Sequence, residues 1–342
     1  MTKSSIARSS IKRPGRRFAM QLMGEPAGRI TPVAELVNTF EFESMAQRKL
    51  DSPTFALAAG TNHDAFDRIT FRPRMMVNTT RLDLTTELFG EQMFTPILVG
   101  PLAQQKRFHP DGEMATLKGA GAAKAVMIVS DNSSVPIEQI AGQAAKDPKT
   151  TLWFQVFPEA DVESVRTRAK NAIGAGCKAL VLTVGVPTQP ESSWDWAAID
   201  RFRQGFNVPV VLKGILTPEE AQLAVQHGVQ GIVISNYVGA ANNAMAAPIS
   251  LLPGIADAVA GKIPILIDGS FRRGSDVVMA LALGARAVLV GRPVLWGLSA
   301  YGAEGVQRVI EMLQTETARD MAMCGRVNVK ALDRTAVKIH RW

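Results

Sequence analysis

Charged side chains end three short apolar runs in the second half of the chain: Lys213, Asp268 and Arg292. Small residues accompany two of them, with Gly269-Ser270 after the aspartate and Gly291 before the arginine. Backbone N–H groups of small residues can approach an oxyanion closely, and arginine binds one with a planar fork. The pattern therefore favours a phosphate-binding site over glycines that only form tight turns.

Polar residues end six of eight short apolar runs in this part of the chain, so the site extends beyond the phosphate. The residues at these ends are Gln155, Thr183, Lys213, Ser235 with Asn236 and Tyr237, Asp268 with Gly269 and Ser270, and Gly291 with Arg292. Side chains at equivalent ends of parallel strands lie on one side of a sheet or barrel. A large polar ligand is the expected occupant.

The elements that carry these residues alternate regularly from about residue 95. Short apolar runs are separated by helical stretches, the pattern of βα units with a parallel sheet. The predicted strands are 97–100, 126–129, 152–155, 179–183, 210–213, 231–235, 264–268 and 287–291. Eight units without a large insertion predict an α/β fold of the (β/α)8 barrel type, with residues 301–323 as the last helix.

The predicted organisation has three parts. Residues 1–30 form a basic, disordered tail, residues 31–94 an N-terminal extension that packs on the barrel, and residues 95–342 the barrel with its C-terminal helix and tail. Within the extension, residues 40–50 have the clearest amphipathic helical pattern.

The charge distribution argues against a nucleic-acid surface. The net charge of +7 includes six basic residues within the first 17, so the remainder is nearly neutral. No apolar run is long enough to span a membrane. Arg16-Arg17 is similar to a twin-arginine export signal, but the polar residues in 21–26 interrupt the apolar region that should follow, so a cytoplasmic protein is expected.

The combination of motifs resembles the FMN-dependent α-hydroxy-acid oxidases and dehydrogenases, a family that includes glycolate oxidase, lactate oxidase and flavocytochrome b2. Each motif alone is weak, whereas their combination is specific. The motifs are Phe71-Arg72-Pro73-Arg74, His109-Pro110-Asp111-Gly112-Glu113, Leu182-Thr183-Val184, Leu212-Lys213-Gly214, Ile234-Ser235-Asn236, Ile267-Asp268-Gly269, Arg272-Arg273-Gly274 and Gly291-Arg292-Pro293.

The resemblance implies FMN as the cofactor and a role for each matched position. Residues against the flavin ring would be Pro101, Leu102 and Ala103, with Ser130, Gln155 and Thr183 towards its pyrimidine edge. Lys213 would lie beside N1 and the C2 carbonyl, where its charge stabilises the reduced cofactor, and Ser235 would assist. Asp268, Gly269, Ser270, Arg272, Gly291 and Arg292 would hold the ribityl chain and phosphate. FAD is not expected, because no G-x-G-x-x-G follows a strand.

The positions that bind and deprotonate the substrate in the family carry different residues in this sequence. Tyr237 stands where the family has its catalytic histidine, and Gly185 where an aspartate orients that histidine. Phe157 and Leu57 or Ala58 replace two tyrosines, no cation occurs in 238–242, and the loop after the fourth strand is shortened to about 187–193, without the arginine that the family carries there. An unperturbed tyrosine titrates near a pKa of ~10 and is a poor base at neutral pH.

These replacements lead to three hypotheses. The first is an FMN-dependent oxidoreductase with a larger or less anionic substrate, such as an alcohol, amine or modified peptide, with Tyr237, Asn236 and Lys213 at the reacting atoms. The second is a standard 2-hydroxy-acid oxidase or dehydrogenase with an unusual base. The third is an FMN-binding pseudoenzyme. In each case the resemblance implies a homo-oligomer, a tetramer, without nucleic acid and without a metal.

Overall fold

The computed structural model describes residues 28–61, 63–146, 148–185, 194–237 and 245–340, and within them eight parallel strands form a closed barrel. The strands are β1 (Ile97–Leu102), β2 (Met127–Ser130), β3 (Leu152–Val156), β4 (Leu180–Thr183), β5 (Val210–Ile215), β6 (Gly231–Ile234), β7 (Ile265–Ile267) and β8 (Ala287–Val290). β8 pairs with β1, with Val288 opposite Ile97, and this pairing closes the barrel. The predicted (β/α)8 fold is confirmed, and every strand ends within two residues of its predicted limits.

Helices alternate with the strands around the barrel. The extension contributes α1 (Thr39–Lys49) and α2 (Ser52–Ala58), and the barrel contributes α3 (Gly112–Ala122), α4 (Ile137–Ala144), α5 (Val162–Ala175), α6 (Trp196–Arg203), α7 (Pro218–Gln226), α8 (Pro248–Val259), α9 (Gly274–Ala282) and α10 (Arg292–Met323). α10 consists of two helical segments, because Gly302, with a φ of 60°, has a non-helical backbone conformation. The segment after Gly302 matches the last helix predicted at 301–323, and the segment before it begins directly after β8, where Pro293 fits the first turn.

The barrel interior is filled by alternate strand residues and closed at its N-terminal end. Leu98, Trp153 and Val211 belong to an inner cluster that also takes in Leu88 of a short hairpin, Thr86–Leu88 with Glu91–Met93. The Phe89 ring at the hairpin tip lies 5.6 Å from the Trp153 ring. Because side chains fill this end, the interior of the barrel is open to a ligand at the carboxyl ends of the strands, where the active sites of such barrels lie.

The extension is packed against the barrel and against the end of the chain. The Phe42 ring of α1 meets the Tyr301 ring of α10 edge to face at 5.7 Å. The strand Ile69–Phe71 pairs antiparallel with Val337–Ile339. These contacts hold residues 50–70 beside the mouth of the barrel. Among the described residues, no helix is both long and apolar enough to cross a bilayer.

Candidate functional site

A cavity of about 580 Å³ opens over the carboxyl ends of the strands. Fifteen of the sixteen residues predicted for the site line it: Pro101, Leu102, Ala103, Ser130, Gln155, Thr183, Lys213, Asn236, Tyr237, Asp268, Gly269, Ser270, Arg272, Gly291 and Arg292. Ser235, the sixteenth, lies behind Lys213. The structure thus brings residues from all eight strand ends to one place.

Lys213 is held rigidly in the floor of this cavity. Its side chain is only 4% exposed, and Nζ donates to Ser235 Oγ at 2.8 Å and pairs with Asp268 Oδ2 at 3.0 Å. The Ser235 hydroxyl also accepts from the Tyr237 backbone N–H at 3.3 Å. Ser235 therefore acts on the site by fixing the direction in which the ammonium group points.

Tyr237 and Asn236 lie beyond Lys213, at the rim. The Tyr237 ring covers the Lys213 ammonium at 5.1 Å from its centroid, a cation–π contact, yet the residue is 60% exposed. Asn236 Nδ2 donates to the Ala246 carbonyl at 3.3 Å. Within the described parts of the chain, no side chain hydrogen-bonds the Tyr237 hydroxyl. The phenol is therefore placed to contact a substrate, but no described carboxylate orients it or receives its proton.

The side-chain amide of Gln155, two strands away from Lys213 in the barrel, lacks a hydrogen-bond partner for its NH₂ group among the described residues. Ser130 Oγ donates to Gln155 Oε1 at 2.8 Å, while the buried Gln155 Nε2 has no partner among the described residues. Thr183 lies on the next strand, in register with Lys213. A buried amide N–H normally has an acceptor. These side chains fit the edge of a planar, heteroatom-rich ring.

The loop after β7 presents backbone and guanidinium groups together. Gly269 and Ser270 both have a positive φ, 99° and 62°. The left-handed conformation is unusual for a serine and lets successive N–H groups turn towards one ligand. Arg272 is buried, with its guanidinium carbon 4.8 Å above the Trp296 ring. In contrast, Arg273 points away and pairs with Glu316 of α10 at 2.9 Å.

Arg292 completes this end of the cavity. Burial lowers the pKa of its guanidinium, and the nearby Asp268 opposes that shift. A bound anion would stabilise the charged form of a buried cation. Two arginines and a loop of small residues are the donor set expected of a phosphate site.

The extension also reaches the end of the cavity where Arg272 and Arg292 lie, a contact that the sequence did not predict. Thr61 Oγ1 accepts from Arg292 Nη1 at 3.0 Å and lies 3.1 Å from Ser270 Oγ. His63 Nε2 lies 2.9 Å from Asp276 Oδ2, which itself accepts from the Arg272 backbone N–H at 2.8 Å. Nothing in the local sequence around Thr61 or His63 signals these contacts, because the partners are more than 200 residues away.

Several further lining residues were not assigned to the site from the sequence. They are Gln104, Arg107, Phe108 and Asn132 in the loops after β1 and β2, and Leu295 of α10. Leu57 and Phe157, which replace family tyrosines, also line the cavity. Gln104 and Asn132 could have been found from their position just after the ends of β1 and β2, whereas Arg107 and Phe108 lie further along the loop after β1.

The two tryptophans beside the shortened loop are structural. Trp194 donates from Nε1 to the Glu159 carbonyl at 2.7 Å, and the Trp196 ring stacks on His227 at 4.6 Å. Neither lines the described cavity. Both side chains instead pack against the hydrophobic core. The segments 186–193 and 238–244, which contain the shortened loop and the two places where the family has an arginine, lie outside the described residues.

Comparisons with known proteins agree with this geometry. The model of the family described as FMN-dependent dehydrogenase matches residues 54–195 and 186–339. The chain is 34% identical to a peroxisomal (S)-2-hydroxyacid oxidase of Arabidopsis thaliana over 89% of this chain and 97% of the relative. It is 33% identical to an L-lactate oxidase of Nostoc sp., over 89% and 98%. A crystal structure of mandelate oxidase with (S)-2-phenylpropionate superposes with a TM-score of 0.83 at 33% identity, covering 90% of this chain and 100% of that one.

Proposed function

The chain belongs to the FMN-dependent dehydrogenase family, and we propose that it oxidises a substrate larger than the small 2-hydroxy acids on which named relatives act. The observation that carries this proposal is Tyr237 at the position of the family base. It is exposed at the rim, and no described carboxylate contacts its hydroxyl. Cofactor and scaffold are thus retained, while the groups that would hold and deprotonate a small hydroxy acid are replaced.

FMN supplies the chemistry, since it accepts two electrons from the substrate when bound. The residues present fit this group: Gln155 Nε2 is a buried donor that needs an acceptor, and Arg272 and Arg292 bracket a loop with two left-handed residues. Gln155 and Thr183 would hold the pyrimidine edge, with Pro101, Leu102, Ala103 and Ser130 around the ring. Asp268, Gly269, Ser270, Arg272, Gly291 and Arg292 would hold the ribityl chain and phosphate.

Lys213 has two tasks in this scheme. Its ammonium group is fixed by Ser235 and Asp268. Held beside N1, it would favour negative charge on the reduced cofactor, because a buried cation acts strongly in a low dielectric. Its ring contact with Tyr237 couples the same charge to the substrate side. A lysine retained with this geometry argues against the pseudoenzyme hypothesis, since a purely structural cofactor would not need it.

The substrate side is shaped for bulk rather than for a small carboxylate. Leu57 and Phe157 bring apolar surface to positions where the family uses phenols. Tyr237 and Asn236 would contact the substrate at the reacting atoms, with Tyr237 able to donate a hydrogen bond. An alcohol, an amine or a modified peptide fits these groups better than glycolate does.

A standard 2-hydroxy-acid oxidation is the second candidate, and the names of the relatives favour it. Anaerobic reduction of the flavin in the wild-type holoprotein separates the two. We expect glycolate and L-lactate to leave the flavin absorbance unchanged, while members of a panel of larger alcohols and amines bleach it. Bleaching by L-lactate at the rates of an ordinary oxidase would overturn the larger-substrate proposal in favour of the second candidate.

A homotetramer and a cytoplasmic location complete the proposal. The homotetramer rests on the family alone. The cytoplasmic location rests on the polar residues within 21–26 that follow Arg16-Arg17. Light scattering of the purified protein should give four times the 36.8 kDa chain mass. A single-chain particle at micromolar concentration would contradict the tetramer. Export of a reporter fused to residues 1–40 would contradict the cytoplasmic location.

A further inference from the structure

One wall of the cavity is a 3₁₀ turn, Gln105–Arg107, between β1 and α3. Arg107 and the preceding Gln104 line the cavity, and Phe108 follows them. This turn lies just beyond Pro101 to Ala103, the residues proposed to lie against the flavin. It therefore borders the space that a substrate larger than a hydroxy acid would enter.

Hydrogen bonds to α3 and to the loop after β2 hold this turn. Gln105 is buried, its backbone N–H donates to Glu113 Oε1 at 3.1 Å, and its side-chain oxygen accepts from the Thr116 hydroxyl. The Lys106 N–H donates to Ser134 Oγ at 3.1 Å. Because α3 and the loop after β2 hold the backbone of the turn, the side chains of Gln104 and Arg107 project from a fixed base.

Gln104 stores conformational strain at this point. Its φ is 48°, in the left-handed region that non-glycine residues rarely adopt. Its N–H donates to the Asn132 carbonyl at 3.0 Å, and its Oε1 accepts from Arg107 Nη1 at 3.1 Å. Strained residues that persist often serve a functional constraint. Here the result is a fixed amide oxygen that orients the Arg107 guanidinium.

Arg107 differs from the other cations around the cavity. Lys213 pairs with Asp268, while Arg272 and Arg292 belong to the phosphate end. Arg107 is exposed, and within the described ranges no carboxylate lies within ion-pair distance of it. The sequences of segments 186–193 and 238–244 contain no lysine or arginine. Arg107 is therefore a cation that lines the cavity and is not among the residues proposed to hold the cofactor.

We infer that Arg107, oriented by Gln104, binds a carboxylate group of the substrate, at a distance from the carbon that is oxidised. The inference deepens the proposed function and rests on it for the position of the oxidised carbon. One nitrogen of the guanidinium is used by Gln104, and the remaining N–H groups can form charge-assisted hydrogen bonds to a carboxylate. The substrate class is accordingly an alcohol or amine with a remote carboxylate.

Calorimetric titration of the oxidised holoprotein with benzoate and with benzamide tests this inference. The two probes have nearly the same shape, and only benzoate is charged. We expect the wild type to bind benzoate more tightly than benzamide, and Arg107→Met to weaken benzoate by about ten- to a hundredfold, the effect of one charge-assisted hydrogen bond. Arg107→Lys should retain part of the affinity.

Lys106→Met is the matched control. Lys106 is the preceding residue, is exposed, and does not line the cavity, so its loss removes the same charge from the protein surface. Benzoate affinity should stay within about twofold in this variant, since a surface charge outside the site contributes little. Equal weakening in both variants would show a general charge effect and overturn the inference. So would wild-type protein that binds benzoate no better than benzamide, or an Arg107→Met variant with unchanged affinity.

These outcomes are separable from those of the proposed function. The titration uses oxidised protein and no turnover, so its failure leaves the proposal of a larger substrate standing. Conversely, fast flavin reduction by L-lactate would contradict the larger substrate even where Arg107 binds benzoate.

Discussion

The Ser130 hydroxyl donates to Gln155 Oε1 at 2.8 Å, between residues that are directly paired on strands β2 and β3. Because the oxygen of the amide is occupied in this way, its NH₂ group is left for the cavity, where the described residues offer it no acceptor. The pair therefore presents an oriented amide donor to the cavity, where we propose that it binds the pyrimidine edge of FMN.

Replacement of Gln155 should weaken the binding of FMN. We expect Gln155→Leu to raise the Kd of FMN by about tenfold, the effect of one buried hydrogen bond, and Ser130→Ala to raise it less, because the amide remains but is no longer oriented. Quenching of FMN fluorescence on titration into apoprotein measures both. Gln139→Leu, an exposed glutamine on α4, is the control. Unchanged affinity in Gln155→Leu would contradict the assignment.

Loss of the Lys213 charge should change the reactivity of the bound flavin with sulfite, and not only the affinity of the protein for FMN. Sulfite adds to flavins that tolerate negative charge, and a buried ammonium group stabilises such charge. We expect Lys213→Met to reduce the sulfite affinity of FMN-loaded protein by about tenfold or more. The loss of flavin absorbance on sulfite titration measures this affinity. Lys178→Met, which removes an exposed lysine before β4, should bind sulfite as the wild type does. Wild-type sulfite affinity in the Lys213→Met protein would contradict the proposed position of Lys213 beside the flavin.

The eight strands and many of the residues that line the cavity could be predicted from the sequence, because both depend on local order. A polar residue directly after an apolar run, such as Thr183 or Asp268, must lie at a strand end once the barrel is recognised. Thr61 could not be found in this way, since its contacts with Ser270 and Arg292 join segments far apart in the chain. Arg107 was missed for another reason: it lies in a turn, where periodicity gives no direction for a side chain.

Both cysteines should be unreactive in the folded protein. Burial raises the pKa of the Cys177 thiol to about 12 and also raises that of Cys324. The reactive thiolate is therefore scarce at pH 8, and its fraction grows only as the pH approaches the raised value. We expect Ellman's reagent to detect no thiol in native protein at pH 8 and two per chain after unfolding in guanidinium chloride, the number present in the sequence. Rapid native labelling would contradict the buried environments.

Gly185 replaces the family aspartate at a position that favours glycine. Its φ is 76°, and a Cβ there would meet no atom of the described residues within 4 Å, so among these residues the cost of a side chain lies in the backbone. We expect Gly185→Ala and Gly185→Asp to lower the free energy of unfolding by about 1 kcal/mol in urea titrations. The matched change Gly142→Ala lies inside α4, also with open space, and should instead raise it by about 0.5–1 kcal/mol. Stabilisation by Gly185→Ala would contradict the assigned conformation.

The most direct test is to mix the Tyr237→His holoprotein with L-lactate anaerobically and to follow the flavin absorbance. It asks whether the base and the other groups that would act on a small hydroxy acid have all been replaced. A general base contributes about 10²- to 10⁴-fold, but only when it is oriented and its substrate is positioned. Gly185 offers no carboxylate to orient a new imidazole, and Leu57 and Phe157 offer no hydroxyl to the substrate. We therefore predict that the variant binds FMN as the wild type does and that L-lactate leaves its flavin oxidised. Rapid bleaching by L-lactate in Tyr237→His would show that the other replacements are peripheral and would contradict the larger substrate.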